Sequence, residues 1–247
     1  MSITLSSLAP DYRALVFGAS GGIGAALVEA LANDPRCGVV YAASRSAIAG
    51  GGKVHPLTFN LEDEASIAAA VSQASADGPL DLVLVATGLL HDEAIKPEKT
   101  FRAISPEALE KGFRINTTGP ALIAKHALRE LPRDRKAVFA ALSARVGSIS
   151  DNRLGGWHAY RASKAALNML IRTFSIELAL RYPKALCIAL HPGTVDSRLS
   201  APFQAGVPEG KLFTPERSAD ALLSVIENLS ANQTGKLFAW DGQEIPF

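Results

Sequence analysis

The sequence has little cysteine, and its histidines are scattered. Only two of the 247 residues are cysteines, Cys37 and Cys187, and each lies within an apolar stretch. Two such residues cannot build a disulfide framework or a cysteine-based metal site, so we predict buried free thiols. The five histidines show no paired spacing such as HExxH. The sequence therefore predicts no metal ion.

The chain also lacks an excess of charge of either sign and a long apolar run. Lysine and arginine total 25, aspartate and glutamate total 24, and the formal net charge is +1. This balance argues against nucleic acid or an acidic membrane surface as a partner. No apolar run reaches the roughly 20 residues that a transmembrane helix needs. The opening residues, MSITLSSLAPDYR, have neither the basic region nor the apolar core of a secretory signal. We therefore expect a cytoplasmic protein with no membrane partner.

What the sequence does contain is an alternation of short apolar runs and longer helical patterns. Several runs show no polar alternation, as expected for strands covered on both faces: Ala14–Phe17, Val39–Ala43, His55–Phe59, Leu80–Ala86, Ala137–Leu142, Ala185–Leu190 and Leu237–Trp240. The candidate helices between them are Ile23–Asn33, Glu64–Ala76, Pro106–Leu131, Ala159–Tyr182 and Pro215–Ser230. This order predicts an α/β fold: one domain over residues 1–247, with a doubly wound parallel sheet of about seven strands and helices on both faces.

A glycine-rich loop, GASGGIG, joins the first apolar run to an alanine-rich helix. Glycine permits a tight turn and close approach of the backbone, and the start of a helix offers free N–H groups and a positive dipole end to a pyrophosphate. In the first βα turn this arrangement predicts a dinucleotide-binding Rossmann fold. The residues expected around the phosphates are Gly18, Ser20, Gly22, Ile23 and Gly24.

The second apolar run ends at Ser44 and Arg45, where folds that bind NAD usually place an acidic residue. No acidic residue is present, and a guanidinium matches the oxygens of a 2′-phosphate. The pair therefore favours NADP(H) over NAD(H). The alternative is that Arg45 is a solvated loop charge.

Tyr160 and Lys164 lie four residues apart in YRASKAALNML, a segment of good helix formers. This spacing puts both side chains on one face of a helix. An ammonium group beside a phenol favours the phenolate and lowers the phenol pKa from its usual value near 10. Such a tyrosine can give a proton to a carbonyl oxygen as hydride arrives, or take one from an alcohol. An ordinary amphipathic helix is the alternative.

The GxxxGxG spacing of the glycine loop and the later YxxxK resemble the short-chain dehydrogenase/reductase family, and the resemblance covers nearly the whole chain. It implies that Lys164 also binds the nicotinamide ribose. Asn116, in FRINTTGP, matches an asparagine that anchors a proton-relay water; the alternative is a satisfied polar residue at a helix kink. Around the cofactor, the resemblance implies roles for Asn60 and Leu61 at the adenine, for Ala86, Thr87 and Gly88 after the fourth strand, and for Pro192, Gly193 and Val195 beside the carboxamide.

The serine that holds the substrate carbonyl in this family is not at its usual place. The family pattern is Ser-Ser-x-x-Gly, with the second serine catalytic, whereas this chain has SARVG and places Ala144 there. Ser143 is the first candidate to replace it, and Ser148 is the second. The segment SISDNRLGGWHA that follows resembles the C-factor-like subgroup of the family.

The resemblance implies an NADP(H)-dependent oxidoreductase, a carbonyl reductase or alcohol dehydrogenase acting on a small-molecule carbonyl or alcohol. A homodimer or homotetramer formed through the two long helices is expected. The region 197–215, with three prolines and two glycines, predicts either a mobile flap over the substrate or a surface loop. The alternative function is a cofactor-binding signalling or regulatory protein of the C-factor type with little turnover, and a third is an epimerase or dehydratase on the same fold.

Overall fold

The computed structural model describes residues 3–247, whose centre is a sheet of eight strands. In chain order the strands are β1 (Tyr12–Phe17), β2 (Cys37–Ser44), β3 (Val54–Thr58), β4 (Leu82–Val85), β5 (Ala137–Leu142), β6 (Ala185–His191), β7 (Thr194–Val195), β8 (Leu212–Phe213), β9 (Leu237–Ala239) and β10 (Glu244–Ile245). The sheet runs β10-β9-β6-β5-β4-β1-β2-β3, while β7 and β8 form a separate parallel pair. All neighbours in the sheet are parallel except β9 and β10. The doubly wound fold is confirmed, with one more strand than the seven expected.

Helices cover both faces of this sheet: α1 (Gly22–Asn33), α2 (Glu64–Ser75), α3 (Pro106–Phe113), α4 (Gly119–Ala127), α5 (His158–Ala179) and α6 (Pro215–Asn228). Side chains of a strand alternate between the two faces, so Phe139 lies in the core under α2, α4 and α5, and its neighbour Val138 lies in the core under α1 and α6. The strands read as continuous apolar runs because both faces are buried.

The long helix predicted for Pro106–Leu131 is interrupted. A π-helical turn, Arg114–Thr118, separates α3 from α4, and Asn116 lies within it. Insertions of this kind are frequent at functional sites, because they displace side chains and backbone carbonyls from the regular helical positions.

Parallel strands place all their carboxyl ends at one edge of the sheet. The strand order reverses between β1 and β4, and the crevice outside such a reversal is where ligands bind in open α/β sheets. The predicted site residues follow β1, β2, β3, β4, β5 and β6 or lie on the adjacent helices. The fold therefore gathers them at a single edge.

Candidate active site

The loop after β1 is shaped by backbone contacts that only glycine permits. Gly18 has a φ of +84°, and a Cβ there would lie 2.9 Å from the carbonyl carbon of Ala86. The amides of Gly18 and Ala19 donate to the Ala43 carbonyl at 2.9 and 3.0 Å, which fixes the loop to β2. A Cβ on Gly24 would overlap the carbonyl of Gly18, 2.8 Å from its carbon. Without side chains at these positions the loop turns tightly into α1.

The first turn of α1 offers backbone donors to a ligand. Gly21 precedes the helix and supplies no side-chain cap, and the first amide to bond back is that of Ala25, which donates to the Gly21 carbonyl at 2.7 Å. The amides of Gly22, Ile23 and Gly24 therefore have no acceptor within the helix. Ser20 is exposed beside them. Free amides at the positive end of a helix dipole fit an anionic pyrophosphate.

At the end of β2 the two predicted cofactor residues differ. Ser44 is buried, and its hydroxyl donates to the Ser46 carbonyl, so its proton is already committed. Arg45 is exposed directly after the strand. A phosphate accepts hydrogen bonds and needs donors. Arg45, rather than the Ser44 hydroxyl, is therefore the group that could donate hydrogen bonds to a 2′-phosphate.

The residues after β3 form a turn and a packed floor. Asn60 is exposed, and its side-chain oxygen accepts from the Glu62 amide at 3.1 Å. Leu61 is buried against Gly119, where an added Cβ would lie 2.7 Å from Leu61 Cδ1. The contact of Asn60 and Leu61 with an adenine stays a prediction.

The turn after β4 connects the glycine loop with the catalytic candidates. The Thr87 hydroxyl is buried and has no hydrogen-bond partner among the described residues, which makes it a donor available to a ligand in the crevice. An added Cβ on Gly88 would lie 3.6 Å from Asn116 Oδ1 and 3.7 Å from Lys164 Nζ. Gly88 therefore lies against both catalytic candidates.

Tyr160 and Lys164 lie at the start of α5, one turn apart. Tyr160 is partly exposed, while Lys164 is 2% exposed. The Lys164 amine donates to the Leu142 carbonyl at 2.7 Å and lies 5.9 Å from the centre of the Tyr160 ring. The helix thus places the Lys164 amine beside the Tyr160 ring.

The pKa values differ from the expectation that lysine would lower the phenol pKa. Burial raises the pKa of Tyr160 above its ordinary value and lowers the pKa of Lys164 to about 7. Burial disfavours the charged form of both groups, and the lysine's proton is held toward Leu142 rather than toward the phenol. In this structure Tyr160 therefore stays protonated at neutral pH, which suits a proton donor.

Asn116 is fully buried, and its side-chain amide is committed. Its Oδ1 accepts from the Leu89 amide, and its Nδ2 donates to the Leu89 carbonyl, both at 2.8 Å; Nδ2 also donates to Ser163 Oγ at 3.1 Å. Both side-chain N–H groups are used, so the side chain fixes the segment after β4 instead of offering a donor to water. A role for Asn116 in anchoring a water stays a prediction.

Neither candidate serine hydroxyl points freely into the site. Ser143 is buried after β5 and donates to Asn168 Oδ1 at 2.7 Å. Ser148 is buried and donates to the Pro246 carbonyl. Ala144, between them in the chain, has no hydroxyl. The structure thus gives each serine a structural partner, and the assignment of Ser143 stays a prediction.

The turn after β6 lies at the same edge as the other predicted residues. Ser218 of α6 donates to the Pro192 carbonyl at 2.9 Å, and Gly193 has a φ of +79°. Val195 is buried in β7, which pairs with β8. The region 197–215 then contains a short 3₁₀ helix, Ala201–Gly206, and β8, so it is a structured cover and not an irregular loop.

Tyr160 is one of the residues that line a small cleft. The segment 89–98, α3 and the start of α5 line it. Aromatic rings stand near the tyrosine: the Trp157 ring lies 6.3 Å from that of Tyr160 and 5.1 Å from that of Phe203, whose ring lies 5.6 Å from His91. No motif pointed to these residues, because they come from three separate segments.

Residues 3–247 contain neither a candidate metal site nor a candidate membrane span. No group of three or more histidine, cysteine, aspartate or glutamate side chains is arranged to hold a metal ion. Over the same residues, no helix combines the length and the hydropathy needed to cross a bilayer.

Comparison with known proteins places this arrangement in a family. The family model described as short chain dehydrogenase matches residues 12–207, and the chain belongs to that family. The C-signal of Myxococcus xanthus is 34% identical over 139 residues, covering 56% of this chain and 78% of that protein, which agrees with the expected C-factor-like subgroup. An oxidoreductase of Schizosaccharomyces pombe is 28% identical over 254 residues, covering 94% and 96%.

Among solved structures, the NADPH-bound carbonyl reductase from chicken fatty liver superposes with a TM-score of 0.83 at 24% identity. The match covers 98% of this chain and 97% of that one. At this identity the likeness shows the shared fold.

Proposed function

We propose that the protein is an NADP(H)-dependent oxidoreductase that interconverts a carbonyl compound and a secondary alcohol, with Tyr160 as the group that gives or takes the proton. The observation that carries this is the buried amine of Lys164, one helical turn from Tyr160 and close to Gly88 at the mouth of the cofactor crevice. A buried amine at that position is costly for folding, so we infer that it serves the site.

The residues present fit a dinucleotide. The free amides of Gly22, Ile23 and Gly24 would hold the pyrophosphate, and the unpartnered Thr87 hydroxyl would donate at the end of β4. When bound, the nicotinamide supplies or accepts the hydride.

The protein's own contribution is the placement of protons and of the substrate. Tyr160, protonated because burial raises its pKa, donates its proton to the carbonyl oxygen during reduction. Lys164, with a pKa of about 7, can then return a proton to the phenolate through the site. In the reverse direction the phenolate form accepts the proton of the alcohol. The aromatic rings of Trp157 and Phe203 lie on the same side of the site as Tyr160 and would contact an apolar part of the substrate.

Cofactor preference is proposed to depend on Arg45. Loss of a charge-assisted bond to a phosphate costs about 1.5–3 kcal/mol, or roughly 10- to 100-fold in kcat/KM. The test compares wild type with Arg45→Ala, using Arg153→Ala, another exposed arginine, as the control. We expect Arg45→Ala to lower kcat/KM for NADPH while leaving kcat/KM for NADH unchanged. Equal values for both cofactors in the wild type would contradict the proposal.

A regulatory protein with little turnover is the second candidate, and the committed hydroxyls of Ser143 and Ser148 together with Ala144 favour it. Assays of NADPH oxidation over a panel of aldehydes, ketones and quinones separate the two. Turnover supports the enzyme; tight NADPH binding with no turnover of any compound supports the regulatory protein. Turnover without a net change in NADPH would indicate an epimerase or dehydratase.

We also propose a cytoplasmic homodimer or homotetramer. Large apolar side chains are exposed on the outer sides of α3 and α5: Phe113, Met169, Ile176 and Leu180. Both cysteines are buried free thiols, as is usual in a reducing compartment. Sedimentation measurements test the assembly, and a monomer at micromolar concentration would contradict it.

A further inference from the structure

The helix that carries Tyr160 cannot cap its own beginning. Trp157 precedes α5 and has no side-chain oxygen to accept from the first amides of the helix. Its φ is +51°, and Gly155 and Gly156 before it have φ values of +62° and +66°. Three successive residues are therefore in the left-handed region. The backbone is strained at Trp157, because its Cβ crowds the following carbonyl oxygen. Groups from elsewhere in the chain must hold this turn.

Glu98 supplies the missing cap from a distant segment. Its backbone carbonyl accepts from the Trp157 amide at 2.5 Å, and each of its carboxylate oxygens lies 3.3 Å from the Ala159 amide. The side chain is buried, with 5% exposure, and no ion pair to it occurs within residues 3–247. Its negative charge is therefore met by the positive end of the α5 dipole.

Arg161 holds the other polar groups of the same turn. Its Nε donates to the carbonyls of Gly155 and Gly156 at 3.2 and 3.0 Å, and its Nη1 donates to the Val146 carbonyl at 3.2 Å. Glu98 thus accepts hydrogen bonds from amides of this turn, and Arg161 donates hydrogen bonds to carbonyls of the turn. The position of Tyr160, between Ala159 and Arg161, follows from both.

Glu98 also belongs to the opposite wall of the cleft. The segment 89–98 faces α5 across the cleft, and Asn116 fixes its beginning through Leu89. The carboxylate fixes its end to the helix. One side chain therefore sets both the start of the catalytic helix and the width of the cleft.

We propose that Glu98 is a positioning residue for Tyr160, which orients the phenol by capping α5. The proposal rests on the function proposed above.

The test compares Glu98→Ala, Glu98→Gln and the control Glu93→Gln, which changes an exposed glutamate of the same segment. Hydrogen–deuterium exchange of the peptide containing residues 156–160 reports on the cap without need of turnover. Separate measurements of kcat and of NADPH affinity report on the position of the phenol, and glutamine, which keeps an acceptor for Ala159, should rescue kcat.

We expect Glu98→Ala to speed exchange in residues 156–160 and to lower kcat by about tenfold or more, with NADPH affinity unchanged. Glu98→Gln should keep the exchange protection and restore most of kcat. Wild-type exchange in Glu98→Ala, or a kcat of Glu98→Ala equal to that of the wild type, would overturn the proposal. If the wild type turns over no substrate, the proposed function fails, while the exchange measurement still decides whether Glu98 caps the helix.

Discussion

Replacing Lys164 by methionine should stabilise the protein at neutral pH and destabilise it at high pH. The Lys164 amine is 2% exposed, and its pKa falls from 10.5 to about 7 on burial. The unfolded lysine binds a proton below pH 10.5, whereas the folded one does so only below about pH 7. Wild-type stability therefore rises with pH across this interval, and the buried lysine costs stability below it.

The magnitude follows from the same values. One pKa unit corresponds to about 1.4 kcal/mol, so the buried amine costs about 4 kcal/mol at pH 7. Methionine removes this cost but leaves the Leu142 carbonyl without its donor, which costs about 1–3 kcal/mol. The variant should be more stable than wild type by about 1–3 kcal/mol at pH 7. Near pH 10.5 the cost of burying the Lys164 amine vanishes, and the variant should then be less stable than the wild type.

Urea unfolding followed by circular dichroism at pH 7 and pH 10 measures this difference. Lys99→Met, at an exposed lysine, is the control and should show no change of sign with pH. A Lys164→Met protein that is less stable than wild type by the same amount at both pH values would refute the reasoning.

Three further predictions concern the loop, the missing serine and the phenol. Gly24→Ala should lower stability by about 1–3 kcal/mol and abolish NADPH binding, because its Cβ meets the Gly18 carbonyl; Gly206→Ala, with open space around it, should do neither in thermal melts and fluorescence titrations. Ala144→Ser should raise kcat/KM by about fivefold, the value of one added hydrogen bond of about 1 kcal/mol to the substrate carbonyl, and an unchanged value would show that another group holds it. Since burial raises the pKa of Tyr160, carbonyl reduction should be independent of pH around neutrality and alcohol oxidation should accelerate with rising pH; stopped-flow rates in both directions check this, and oxidation that slows with rising pH would contradict it.

The sheet was largely predictable because its strands are buried on both faces. The apolar run Ala137–Leu142 coincides with β5. Because both faces of this strand are buried, all of its residues are apolar and the run has clear ends. The edge strand Glu244–Ile245 was missed, because two residues have no periodicity and their pairing depends on β9 being next to them. The π-helical turn at Asn116 was anticipated only as an alternative, a polar residue at a helix kink, because a five-residue segment has no sequence pattern that distinguishes a π-helical from an α-helical turn.

The proximity of Tyr160 and Lys164 was predictable from local spacing, but the surroundings of the two residues were not. Tyr160 and Lys164 are joined by one helical turn, and a helix preserves such a relation whatever packs around it. The reversed direction of the phenol pKa depends on burial, which spacing does not encode. The contact of Glu98 with Ala159 joins residues 61 positions apart, and neither belongs to a recognisable motif.

The central claim is that Tyr160 moves the proton in an NADPH-dependent carbonyl reduction. The most direct measurement compares NADPH oxidation by wild type and Tyr160→Phe with the best substrate of the panel, together with NADPH affinity from fluorescence titration. Removal of the hydroxyl should lower turnover by about 100-fold or more and leave the affinity unchanged. Turnover in Tyr160→Phe equal to that of the wild type would contradict the account.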